Sequence, residues 1–248
     1  MKSKTKSNLY INNGKPTAIV YPLSDSEFET QFNEIFIYEH YKKGRKRGVY
    51  VDLGANIGLT ALYFQKFVTK YYAVEPSKDC FSALKQNTVG LPISYHNLAI
   101  YPRSGYEFLY KTASDSVPQT MFSVNRDSLP KEAVKTMPID MFFEKENIRH
   151  VDILKVDIES AEYLLFPDSS FARVVDKIDH IIGEAHFDSL TGAIPAIIPV
   201  ILKKYGFTTV FTNDINCVYN FHYIQQDGTK DKFDYETNTI FYAYRGKK

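Results

Sequence analysis

The sequence predicts an α/β fold: a mostly parallel sheet with helices on both faces and an antiparallel C-terminal finish. Three observations predict it. From residue 48 onward, short apolar runs alternate with segments of helical periodicity. Runs such as VDILKVDI and KIDHIIGEAH are apolar on both faces, as strands enclosed between two helix layers must be. The last three runs, FTTVF, NCVYNFHY and NTIFYAY, have no long helical segment between them, which favours antiparallel pairing.

The chain divides into an N-terminal extension, 1–47, and one larger domain, 48–248. In the extension, LYI and TAIVY flank NNGK, and Asn13-Gly14 supplies the turn of a hairpin. Ser24 with Glu27 forms a capping box, and Phe28, Phe32, Ile35 and Phe36 then recur at helical spacing. The spacing predicts a helix ending near Gly44. The cations of KKGRKRG read as the solvated end of that helix, where positive charge favours the dipole. VYVDLG is the first strand of the sheet and IGLTALYFQKFV a helix; YYAVEP is the second strand and SKDCFSALKQN a helix. ISYHNLAI is the third strand. Residues 100–140 do not alternate cleanly and are expected to form an insertion over the sheet. The buried strands at 151–158 and 177–186 follow, then an apolar helix ending near Lys204, then the final strands.

Composition bounds the function. The 248 residues are 44% apolar and 24% charged, which excludes a disordered tail, a collagen-like fibre and a coiled coil. Lys+Arg 30 against Asp+Glu 29 leaves a net charge of +1, too little for nucleic-acid binding by bulk electrostatics. Cys80 and Cys217 form neither a disulfide framework nor a C-x-x-C zinc pattern. MKSKTKSNLY has no apolar run after its basic residues, so no signal peptide is visible. The longest apolar stretch, AIPAIIPVIL, carries Pro195 and Pro199 and has half the ~20 residues of a membrane span. The expectation is a soluble protein of a reducing compartment, the cytoplasm.

In an open parallel sheet, ligands bind beyond the carboxyl ends of the strands, where strand order reverses. The segments there are DLGANIG, Glu75-Pro76, Asn97 to Ile100, Asp157-Ile158-Glu159 and Glu184-Ala185-His186. Each carries a polar or ionisable group. Gly54 allows a turn or close approach that a Cβ would obstruct, and Gly58 lets the next helix pack tightly. The dinucleotide pattern G-x-G-x-x-G would need glycine where this chain has Asn56 and Leu59, and no Gly-Lys-Ser/Thr follows for a P-loop. The ligand is therefore a nucleoside with no phosphate pressed on the turn. Glu75 lies about 20 residues past Gly54, where a carboxylate can accept from both ribose hydroxyls. Together with acids further along the sheet edge, this suits S-adenosylmethionine, whose sulfonium is better placed beside carboxylates than beside Lys or Arg.

VDLGANIGLTAL, AVEPS and DILKVDIESAEYLLF, with IIGEAH downstream, resemble the FkbM family of S-adenosylmethionine-dependent methyltransferases. The resemblance runs from about Val49 to His186 and implies the class I methyltransferase (Rossmann-like) fold. It implies that Gly54, Asn56 and Gly58 surround the methionine moiety, and that Asp52 steadies that loop or meets the amino group. Glu75 would hold the ribose hydroxyls, Asn97 and Ala99 would lie near adenine, and Asp157 would face the methyl donor or acceptor. The family usually has glycine at Ser160, a residue that could instead cap the following helix.

Methyl transfer to a hydroxyl benefits from a nearby base, and Asp157, Glu159, Glu184 and His186 are the candidates. His186 attracts attention because imidazole titrates near neutrality. The same four residues could hold a divalent cation, although no H-E-x-x-H spacing marks one. Lys155, inside an apolar strand, needs a partner, and Asp157 two residues on is the obvious one. Glu162 falls in the first turn of a helix and needs no role beyond complementing its dipole. His40, His96, His150, His180 and His222 read as ordinary. The expected activity is O-methylation of a saccharide or glycosylated small molecule, with the extension and residues 100–140 shaping the acceptor cleft. The alternatives are a nucleic-acid or protein methyltransferase docking through KKGRKRG, and a non-catalytic module of the same fold. An NAD enzyme is disfavoured by Asn56.

Overall fold

Strands apolar on both faces can be satisfied only between two layers, and the chain pairs them in parallel at its centre. The computed structural model describes residues 6–12, 15–111, 130–186, 195–211 and 239–246. β1 (Lys6–Asn12) and β2 (Lys15–Tyr21) form the antiparallel hairpin. Its Asn13-Gly14 turn lies outside the described residues. α1 (Asp25–Phe32) begins on the capping box, with Glu27 N donating to Ser24 Oγ and Ser24 N to Glu27. The helix does not continue to Gly44. It widens into a π-turn over Asn33–Ile37 and stops where Glu39 turns left-handed at φ 53°. The widened turn keeps Ile35 in the core while Phe36 stacks on Phe32 and meets Tyr63 edge-on.

β3 (Gly48–Leu53), α2 (Leu59–Phe64), β4 (Val68–Val74), α3 (Lys78–Asn87) and β5 (Ile93–His96) follow. α2 is shorter than its periodicity predicts, because Val68–Lys70 join β4 and pair with Gly48 and Val49. The run ISYHNLAI is not one strand. Asn97 Nδ2 donates to the carbonyls of Glu75 and Pro76, both at 2.9 Å, and the chain turns there. β6 (Ala99–Ile100) then joins β7 (Gly105–Tyr110) and β8 (Lys131–Met137) in a separate three-stranded sheet within the expected insertion. Residues 112–129 lie outside the described ones.

α4 (Ile139–Lys145), β9 (Val151–Val156), α5 (Glu162–Leu165), α6 (Ser169–Val174) and β10 (Ile178–Ala185) lead to α7 (Ile197–Lys203), β11 (Phe207–Phe211) and β12 (Thr239–Arg245). NCVYNFHY, Cys217 and His222 fall outside the described residues. The seven-stranded order is β11-β12-β10-β9-β3-β4-β5. β12 is antiparallel to both neighbours, and the other pairs are parallel. The chain leaves β3 in one direction and β9 in the other, so strand order reverses between them.

Two apolar clusters cover the two faces. One holds Val51, Leu154, Phe142, Phe171 and Phe241; the other holds Tyr50, Ile57, Leu84 and Ile153. Ile19, Leu23, Phe28, Ile35 and Tyr41 of the N-terminal segment belong to the second cluster. No helix among the described residues is long and apolar enough to cross a membrane.

At Gly183 in β10 a Cβ would lie 2.0 Å from the carbonyl oxygen of Val156. Gly183→Ala is expected to push β10 from β9 and to cost about 1–3 kcal/mol in denaturant unfolding.

Candidate active site

The carboxyl ends of β3, β4, β9 and β10 converge on one cleft, roofed by Glu34 and Tyr41 of the N-terminal segment. The turn after β3 forms its floor. Gly54 adopts φ +82°, and a Cβ there would lie 1.7 Å from the carbonyl oxygen of Asp157. Glycine is thus required by the approach of the end of β9. Asn56 is left-handed at φ 46°, a conformation asparagine tolerates. Its backbone N–H donates to Glu75 Oε2 at 2.8 Å, while its own Oδ1 is buried with no hydrogen-bond partner among the described residues. Gly58 stands behind the cleft, where a Cβ would meet Leu84 and Thr88 of the α3 region.

Glu75 is 6% exposed and lines the cleft. Its other oxygen accepts from Ser77 N at 2.7 Å. Burial raises its carboxyl to about 7 even though both backbone amides favour the charged form. Asn97 does not face the cleft; it pins the bend after β4, and its neighbours Leu98 and Ala99 line the wall.

Beneath the turn sits Lys155, 3% exposed. Its ammonium donates to the Gly54 carbonyl at 2.7 Å and pairs with Asp52 Oδ1 and Asp157 Oδ2, each at 3.2 Å. Burial alone would favour loss of its proton, but the two carboxylates outweigh it and hold the group charged above its usual range. Asp52 is 1% exposed and also accepts from Tyr71 at 2.5 Å. It therefore supports the turn from below, through Lys155.

The far side of the cleft is acidic around one histidine. His186 Nε2 lies 3.6 Å from Asp157 Oδ1, 3.6 Å from Glu159 Oε2 and 3.9 Å from Glu184 Oε1. The other ring nitrogen, Nδ1, lies 3.0 Å from Glu162 Oε1. Burial opposes charge on the imidazole, yet Glu162, Glu159 and Glu184 raise it well above its usual value. Glu159 is raised to about 7, by removal of its carboxyl from water and by Asp157 and Glu184 against the pull of His186. Its side chain as a whole keeps 47% exposure.

All four expected catalytic candidates thus meet in one place. Three features went unread in the sequence. Glu162 does lie in the first turn of α5, but it has a further role: it is fully buried, accepts from Ile158 N at 2.9 Å and orients His186. Glu34 and Tyr41 enter from the extension, and Tyr41 donates to Asp157 Oδ2 at 3.3 Å. Ser160 caps nothing: it is left-handed at φ 76°, next to Glu159 at 54°, and the helix cap is Ala161. The glycine customary there would sit without strain. The basic cluster is engaged with its own chain, Arg45 pairing with Glu39 over the Tyr63 ring and Lys46 meeting His180.

Ser160→Gly is expected to raise stability by about 0.5–1 kcal/mol, the left-handed strain relieved less the added chain entropy, in urea unfolding. Glu34 gives a pH test. Burial first, then Glu184 and Asp157, raise it to about 8 from an ordinary value of 4.5; Glu159 adds to the rise and His186 opposes it. Between those values the folded chain keeps a proton that the unfolded chain has lost, so stability falls as pH rises. Glu34→Gln should therefore lose less melting temperature than the parent between about pH 5 and pH 8; equal losses would contradict this assignment.

The methyltransferase FkbM domain matches residues 52–209. No curated protein matches the sequence. Among solved structures, a SAM-dependent methyltransferase from Agrobacterium tumefaciens is similar at 11% identity and a TM-score of 0.48, over 98% of this chain and 71% of that one. Magnesium protoporphyrin IX methyltransferase from Synechocystis, with SAM bound, is similar at 8% identity and 0.47, over 89% and 81%. An rRNA methylase from Streptococcus thermophilus stands at 7% and 0.47, over 85% and 95%. The matched domain spans well over half of the chain and holds the glycine turn, Glu75, Asp157 and His186. The chain belongs to the FkbM family of S-adenosylmethionine-dependent methyltransferases.

Proposed function

We propose that this methyltransferase acts on a hydroxyl group of a saccharide or a glycosylated small molecule. The observation that supports it most is the cluster of Asp157, Glu159, Glu184 and His186 within the cleft that Gly54, Asn56 and Glu75 also line. Carboxylates and an imidazole suit an acceptor rich in hydroxyls, which they can meet as both donors and acceptors.

The residues present fit the family's donor. Asn56 offers a buried oxygen lacking a partner, Gly54 leaves the backbone bare, and Glu75 is a carboxylate fixed by two amides. In this reading Gly54 and Asn56 receive the methionine part, Glu75 the ribose hydroxyls and Ala99 the adenine side. Asp52, Gly58 and Asn97 support those groups from behind. When bound, S-adenosylmethionine supplies a methyl group already activated on a sulfonium.

The remaining task of the chain is to align an acceptor oxygen, exclude water and receive one proton. Glu159 is the proposed base, because its carboxyl is poised near 7 at the cleft. His186 stands among these carboxylates and steadies them. Asp157 and Glu184 orient the acceptor. Glu34 and Tyr41 close the acceptor side, which gives the extension a share in specificity.

Glu75→Ala is expected to weaken S-adenosylhomocysteine binding by about 10- to 100-fold in calorimetry, the loss of a charged hydrogen-bonding partner, with the fold intact by circular dichroism. The acceptor is tested with labelled donor against saccharides, glycosides, oligonucleotides and a peptide library. A methyl-sized mass gain on a saccharide or glycoside supports the proposal, and transfer confined to oligonucleotide or peptide overturns it.

A further inference from the structure

We propose that Asp157, Glu184 and His186 form a binding site for one divalent metal cation at the acceptor end of the cleft. One ligand atom from each lies within 4.8 Å of the other two. The separations from His186 Nε2, 3.6 Å to Asp157 Oδ1 and 3.9 Å to Glu184 Oε1, are too long for hydrogen bonds. Ligands at neighbouring positions on an ion about 2.1 Å from each would stand about 3 Å apart, so a small closing of the side chains seats it.

The rear atoms of two of these ligands are already held. His186 is a buried side chain whose Nδ1 is tied to Glu162, itself fixed by the Ile158 amide. That leaves Nε2 aimed at the carboxylates, with no hydrogen bond among the described residues. Asp157 Oδ2 is held by Lys155 and Tyr41, which leaves Oδ1 as the front atom. Orientation of metal ligands by such outer partners is a general property of metal sites. The second observation is charge. Glu159 Oε2 also stands 3.6 Å from the same ring nitrogen, and Glu162 adds a buried oxygen with no hydrogen-bond partner among the described residues. Two carboxylates and one imidazole suit a transition-metal dication such as Mn2+. Its open positions would take two adjacent hydroxyls of the acceptor, a statement that rests on the hydroxyl-acceptor reading above; cation binding itself does not.

A second grouping, His150, Asp152 and Asp179, lies on the surface and serves as the internal control. The full chain, stripped with chelator and without substrate, is titrated with Mn2+ while free Mn2+ is followed by electron paramagnetic resonance. The expected result is one site that Glu184→Gln weakens at least about 10-fold and Asp179→Asn leaves unchanged. Glu162→Gln, which removes the outer partner of His186, should weaken it about 10- to 100-fold. Circular dichroism and S-adenosylhomocysteine binding, measured in parallel, report that each variant is folded. No binding by the parent chain, or equal binding by folded Glu184→Gln, overturns the proposal. Mn2+ binding without any saccharide or glycoside acceptor would leave the cation site standing and remove the hydroxyl-acceptor reading.

Discussion

One buried ammonium joins the parts of this protein that must act together. Lys155 lies where strand order reverses, and its three partners belong to the glycine turn, the end of β3 and the end of β9. A charge removed from water is tolerable only with good geometry and full pairing, and removing one partner of such a group typically costs about 3–5 kcal/mol. The arrangement is therefore a poor source of stability and a strong constraint on position. The turn cannot shift without moving Asp157, which is also one of the carboxylates around His186.

The neighbouring backbone follows from the same closeness. Gly54 N and Ala55 N both donate to the Val74 carbonyl at 3.0 Å, and Asp157 N donates to the Leu53 carbonyl at 3.1 Å. Three adjoining strand ends are thereby laced together before any ligand arrives. Around them the chain places Asn56, Glu159 and Ser160 in left-handed conformations that side chains resist. Strain of this kind persists only where surrounding contacts over-determine it.

The sheet was legible because its strands are short, apolar on both faces and separated by helical periodicity. The strand ends were legible because a single rule places ligands there, and Gly54, Glu75, Asp157, Glu184 and His186 all occupy that rim. What escaped was non-local. Glu162 sits at a helix start, where acids are common, and only the fold shows that His186 arrives beside it from 24 residues away. Glu34 and Tyr41 lie in a segment whose periodicity indicates core packing and carries no sign of what its polar members face. The break of α1 into a π-turn and the bend at Asn97 depend on tertiary contacts, with Tyr63 and with the carbonyls after β4, that local propensity does not encode.

The N-terminal segment shares its apolar cluster with β3, α2 and α3 while roofing the cleft. It begins before residue 52, where the family's common region starts. The unit that folds is thus larger than the matched domain. A chain trimmed to residues 52–209 would expose Ile57 and Leu84 to water. The wall of the cleft and the core behind it thus rest on the same few aromatic and aliphatic side chains.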